Sequence, residues 1–185
     1  MIRSIKCLGL VGATLPYLFI ITSILLSPWF NFYDNALSDL GNIARNGCIA
    51  YVFNLGLMVT GVVVATFAIL LSIQKRSWKF LAWTPLLIIS AVDLFLIGFF
   101  SEDAGRIHWV VSVVFFVTFT VLMFVYSYIS WPLGSPKIGA IALIFGLASA
   151  FVWLVEWPWA NVAIQESVTA LIMSIWLILV SSKNV

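Results

Sequence analysis

Cys48 to Ile73, CIAYVFNLGLMVTGVVVATFAILLSI, runs without one charged side chain. A helix crosses the hydrocarbon core of a bilayer in about 20 apolar residues, so this stretch spans it with length to spare. Lys75 and Arg76 follow at once. Five further stretches share the pattern, approximately 7–28, 79–100, 107–130, 138–157 and 164–182. The chain of 185 residues is 63% apolar and only 9% charged, whereas a soluble domain carries about a quarter charged residues. Lipid is therefore its solvent. The fold class is all-α, a polytopic six-transmembrane-helix bundle forming one domain over 1–185. A net charge of +2 dispersed over helix ends is no footprint for nucleic acid.

The charges segregate. Arg3, Lys6, Lys75, Arg76, Lys79, Lys137 and Lys183 fall at one end of the expected helices, with only Arg45 and Arg106 at the other. The positive-inside rule makes the first end cytoplasmic and places both termini there, in the cell membrane. Asp34, Asp39, Asp93, Glu102, Asp103, Glu156 and Glu166 all lie at, or point toward, the outer end. Insertion places no such demand on carboxylates, so the acidic half of the pattern carries the functional information. Arg3, Lys6 and the run behind them mimic a secretory signal. The run is long and lacks a small-x-small cleavage site, and it reads as a retained first span.

Other residues refine the picture. Trp29, Trp109, Trp157 and Trp159 are expected in an outer interfacial belt, and Trp78, Trp83 and Trp131 in an inner one. Pro16 and Pro85 are expected inside helices 1 and 3, where a kink is tolerated. Gly56, Gly61, Gly139, Gly146 and Ala150 offer small faces for close helix packing. Cys7 and Cys48 sit at opposite ends of their helices, roughly 30 Å apart, too far for a disulfide. The long outer connection 29–47 is rich in hydrogen-bonding groups. Asp34 is expected to cap a short helix opening Asn35-Ala36-Leu37-Ser38 and ending at Gly41.

Asp93 is the costliest residue, about 10 Å below the outer end of its helix, where a carboxylate costs about 2.5–3.5 kcal/mol. It is expected to face the bundle interior, either as a functional group or bonded to a neighbour such as Asn54. The Asn54 amide reaches either Asp93 or the 35–41 turn. His108, the only histidine, shares a helical face with Ser112, with Glu102 and Asp103 close in sequence. His108 as base with Ser112 or Ser38 as nucleophile makes a hydrolytic constellation; its bland counterpart is an ordinary helix end. Glu156 and Glu166 either converge near His108, where they would hold a cation, or pair with Arg45 and Arg106 in exposed ion pairs.

The candidate catalytic set is thus His108, Ser38, Asp39 and Asp93. Candidate substrate contacts are Asn35, Asn54, Ser112, Glu156, Glu166 and Arg106. A divalent metal, if used, would be held by Asp93, His108 and Glu166. There is no Gly-rich phosphate loop, hence no nucleotide site, and one histidine cannot supply a bis-histidine haem site.

Asn35-Ala36-Leu37-Ser38-Asp39-Leu40-Gly41, then Val52-Phe53-Asn54-Leu55-Gly56-Leu57 and Gly61, resembles the archaeal and bacterial membrane proteins grouped as domain of unknown function 998. Gly98-Phe99-Phe100-Ser101-Glu102-Asp103, Ile107-His108-Trp109, Phe115-Phe116 and Glu166 entering the last helix fit the same family. The resemblance covers almost the whole chain and implies a six-helix integral membrane protein with no assigned activity. Phe100-Ser101 stands where the family would lead one to expect a Phe-Pro pair. The Ser38-Asp39 and His108 elements also distantly resemble the eukaryotic group of growth-factor-receptor-activating and autophagy-modulator membrane proteins, and the Golgi factor of glycolipid-anchor remodelling. No reaction is carried over from that likeness.

Three functions are compatible with these residues. The first is a pocket at the outer face for a membrane lipid or small polar substrate, extending to a lipid hydrolase or transferase. The second is a proton- or cation-coupled transporter using Asp93 and Glu166. The third is a non-catalytic lipid-binding or assembly factor. Below Asp93 the polar residues thin to Ser90, Thr60, Thr66 and Thr118, which favours a one-sided pocket over a pore.

Overall fold

The computed structural model describes residues 2–75, 77–132 and 134–183, so Arg76 lies outside it. Six long helices carry the fold: α1 Ile2–Leu25, α2 Ala50–Lys75, α3 Thr84–Phe99, α4 Arg106–Ser130, α5 Pro136–Leu154 and α6 Ala163–Lys183. All six expected spans are present as helices long and apolar enough to cross a membrane. No strand occurs among the described residues. The chain is a multi-pass membrane protein.

Where the helix limits differ from expectation, proline explains it. α1 stops at Leu25 rather than at 28, because Pro28 disfavours the helical region for Ser27. Pro16 does sit inside α1. Pro85 does not kink a helix. It lies in the first turn of α3, where its missing N–H has no intrahelical partner to lose. A separate helical turn, Trp78–Leu81, precedes it. α5 begins at Pro136 for the same reason.

Each long helix packs on the next in sequence, and α6 closes on α1, giving a ring with an interior. The α2–α3 junction is the closest. A Cβ on Gly61 would stand 2.6 Å from the Ala91 carbonyl oxygen, and one on Gly98 would strike the Asn54 carbonyl. Backbones touch there, as small-residue packing in a membrane allows. α4 and α5 meet where Gly139 faces Ser130 and Gly146 faces Met123 and Phe124.

Up-and-down order puts the connections 26–49, 100–105 and 155–162 at one end, the cap end. The opposite end is closed. There Trp83, Tyr126 and Trp176 pack edge to face, with centroids 5.1 to 5.8 Å apart. Trp78 and Trp131 are exposed, but Trp83 is fully buried rather than part of an interfacial belt. It stands just before α3, and its large ring is better used filling the ring interior.

Candidate functional site

The cap is knitted from residues far apart in sequence. Leu37–Gly41 forms a 3-10 turn whose Leu37 and Leu40 are buried among Phe53, Leu57, Ile97 and Phe115. Asp34 does not cap it; its carboxylate accepts from the Asn31 side chain at 2.8 Å. The cap comes from Asp39, whose Oδ2 accepts from the Ala36 N–H at 3.1 Å and from Asn35 Nδ2 at 3.0 Å. Arg45 pairs with Asp39 at 3.8 Å and lies over the Trp29 ring at 3.6 Å.

Other segments latch onto this turn. Asn54 Nδ2 donates to the Gly41 carbonyl at 2.9 Å, and a Cβ on Gly41 would collide with the Asn54 side chain. Glu166, in the first turn of α6, accepts from the Leu37 N–H at 2.5 Å. Asn42 donates to Glu102, and the Ile43 N–H to Asp103 at 2.9 Å. That bond, with help from Ser101, holds the Asp103 carboxyl below its ordinary range. The Tyr33 carbonyl accepts from Ala160 at 2.9 Å and the Asn35 carbonyl from Ala163 at 3.1 Å.

Beneath the cap, α4 and α5 separate and leave a cavity of about 710 Å³. Its polar lining includes Ser38, Asp39, Glu102, His108, Ser112, Ser149 and Glu166. Its apolar walls include Val117 and Val121 of α4 and Trp153 and Leu154 of α5. Val117 is 55% exposed and Leu154 82%, so the cavity edge reaches the surface a bilayer would cover. Phe116 and Trp153 bridge the wall, centroids 4.5 Å apart. A second cavity of about 90 Å³ lies inside the ring among apolar residues such as Leu57, Leu87, Leu94 and Phe115. Ser38, Ser112, Phe116 and Glu166 line both.

His108 is held for a purpose that its bonds define. Nδ1 lies 2.6 Å from the Phe100 carbonyl oxygen. A carbonyl only accepts, so Nδ1 carries a proton, and in the neutral ring Nε2 is the nitrogen left with a lone pair. Nε2 is buried and has no hydrogen-bond partner among the described residues. The Oγ of Ser149 is in the same condition.

The family model of proteins of unknown function (DUF998) matches residues 10–183. The chain belongs to this family. The resemblance carried by the Asn35–Gly41 and Val52–Gly61 motifs is thereby borne out, and those motifs are the ones that build the cap and its Asn54 anchor. No curated protein and no solved structure gives a significant match.

In this DUF998 member the candidate residues divide. Ser38, Asp39, His108, Ser112 and Glu166 come together around one cavity. Asp93 does not join them: it is buried in α3, lines neither cavity, and its Oδ2 has no hydrogen-bond partner among the described residues. Asn54 bonds to the turn rather than to Asp93, and Asn35 is spent on cap bonds to Asn31 and Asp39. Glu156 and Arg106 are exposed and off the cavity wall; neither they nor Glu166 forms the expected ion pairs among the described residues. The trio Asp93, His108 and Glu166 does not converge as a metal set, since no three such ligands gather among the described residues. Ser149, Asn161 and Trp153 were not anticipated in the lining. Ser149 is one residue from Ala150 on the small face of α5, the one signal that pointed there.

Proposed function

We propose that the chain binds a membrane amphiphile in the cavity between α4, α5 and the cap, admitting it sideways from the bilayer. One observation carries the reading: a cavity of about 710 Å³ with polar groups under the cap and apolar walls ending at exposed Val117 and Leu154. Ligand sites commonly hold roughly 300–1,000 Å³ with apolar walls and few polar groups, which suits one lipid head and the upper part of its chains. The basic residues at the closed end orient that end to the cytoplasm, with both termini, so the cavity opens to the outer leaflet of the cell membrane.

Native mass spectrometry of the gently purified protein tests the reading. The wild type is expected to carry a bound amphiphile, and Val117→Trp, which fills the gap, to lose it. Equal lipid on both proteins, or none on either, sinks the reading.

A lipid hydrolase or transferase is the second reading, favoured by the His108 tautomer. In the neutral ring Nε2 is the nitrogen free to take a proton, and Ser38 and Ser112 on the same wall make no hydrogen bond among the described residues. His108→Gln would then keep the bound lipid and stop its conversion. Transport through Asp93 and Glu166 draws no support from their placement, because Asp93 stands apart from the cavity.

A further inference from the structure

We infer that the head group taken by this cavity brings hydrogen-bond donors and no net negative charge, as an ammonium or the hydroxyls of a sugar or polyol do. This rests on the amphiphile-binding reading and specifies its substrate class. Asp39, Glu102 and Glu166 line the cavity, and among the described residues no lysine or arginine does. Each carboxylate commits one oxygen to the cap: Asp39 Oδ2 to Asn35 and Ala36, Glu102 Oε2 to Asn42, Glu166 Oε2 to Leu37. The second oxygen of each accepts no hydrogen bond among the described residues. An ionised carboxylate is acceptor-only, so Asp39 and Glu102 leave two acceptors over, and the second oxygen of Glu166 adds a polar group without a partner.

Two further groups point to a ligand independently of the carboxylates. His108 is 7% exposed and Ser149 is 0% exposed, both line the cavity, and His108 Nε2 and Ser149 Oγ lack partners. With Nδ1–H committed to the Phe100 carbonyl, Nε2 of the neutral ring adds another acceptor. Leaving buried acceptors unmatched is expensive, and a donor-rich head group matches them. A phosphate monoester does the reverse, bringing charged acceptors to a wall that already holds acceptors and, among the described residues, no lysine or arginine. Arg45 offsets the charge of Asp39 but offers the head group no cation, since it lies outside the lining, paired with Asp39 and stacked on Trp29.

The test is an equilibrium titration of delipidated full-length protein in neutral micelles with three probes: sphingosine, monoglucosyl diacylglycerol and dioleoyl phosphatidic acid. At least one of the first two is expected to bind roughly tenfold or more tightly than phosphatidic acid, the worth of one good charged hydrogen bond. Glu166→Gln, which keeps an acceptor for Leu37, and Glu102→Gln at the cavity edge are each expected to shrink that preference. A preference for sphingosine marks the ammonium, one for the glucolipid the hydroxyls. Phosphatidic acid binding as tightly as either, and lost in Val117→Trp, overturns the head-group inference and leaves the amphiphile site standing. No binding of any probe overturns both.

Discussion

The two ends of the same six helices are built on different terms. At the closed end Trp83, Tyr126 and Trp176 interlock edge to face, and Phe67, Leu71, Leu122 and Met123 around them are fully buried. At the cap end α4 and α5 part, and the space between them is lined by polar groups that the cap only half employs. Both ends hold buried polar atoms without hydrogen-bond partners among the described residues: the indole nitrogens of Trp83 and Trp176 at one, His108 Nε2 and Ser149 Oγ at the other. Their meaning differs. Edge-on aromatic faces are weak acceptors for an indole N–H, whereas the imidazole and the hydroxyl stand on the wall of a cavity. The closed end holds the ring together, and the cap end leaves room in it.

The contrast is sharpest in stability. Trp83→Ala removes a fully buried ring that borders no described cavity, and is expected to cost about 3–5 kcal/mol in unfolding from micelles while the folded fraction still binds amphiphile. Loss of binding with stability intact would erase the distinction between the ends. Asn54→Ala comes next. It leaves the Gly41 carbonyl unpaired, a loss of about 1–3 kcal/mol, and loosens the turn over the cavity, so stability and binding fall together. Unchanged melting would mean the Asn54–Gly41 bond does not hold the cap.

Asp103 gives the smallest effect, on the exposed side of the cap. Its carboxyl is held below its ordinary range by the Ile43 N–H, so its contribution is present above the unfolded-state value, about 3.9, and fades as pH falls through the folded one. The wild type is expected to melt slightly above Asp103→Ala at pH 6, and the gap to close on acidification toward pH 3. A gap that is constant or widens toward acid contradicts the assignment. Exposure keeps it small.

Much of the fold was legible in the sequence because a bilayer imposes length and apolarity on each span, and Cys48–Ile73 states both. Helix limits were less so, yet Pro28 and Pro85 account for the main shifts. The site was half legible. Ser38, Asp39, His108, Ser112 and Glu166 do share a wall, since each sits near the cap end of its segment. What the sequence could not give was lateral position. Asp93 has the right depth and the wrong neighbours, and Asn54 had two bonds open to it until Gly41 came within reach. The cap bonds join Leu37 to Glu166 and Asn42 to Glu102, pairings with no local signature. Nor does periodicity reveal that two helices in contact at Gly139 and Gly146 diverge further along.

An experimental structure of the protein in lipid nanodiscs would show whether the cavity is occupied. Elongated density is expected between α4 and α5, its chain end beside Val117 and Leu154 and its polar end within hydrogen-bond reach of His108 Nε2 and Ser149 Oγ. α4 and α5 packed side chain against side chain up to the cap, with both atoms partnered by the protein itself, would contradict amphiphile binding in this cavity.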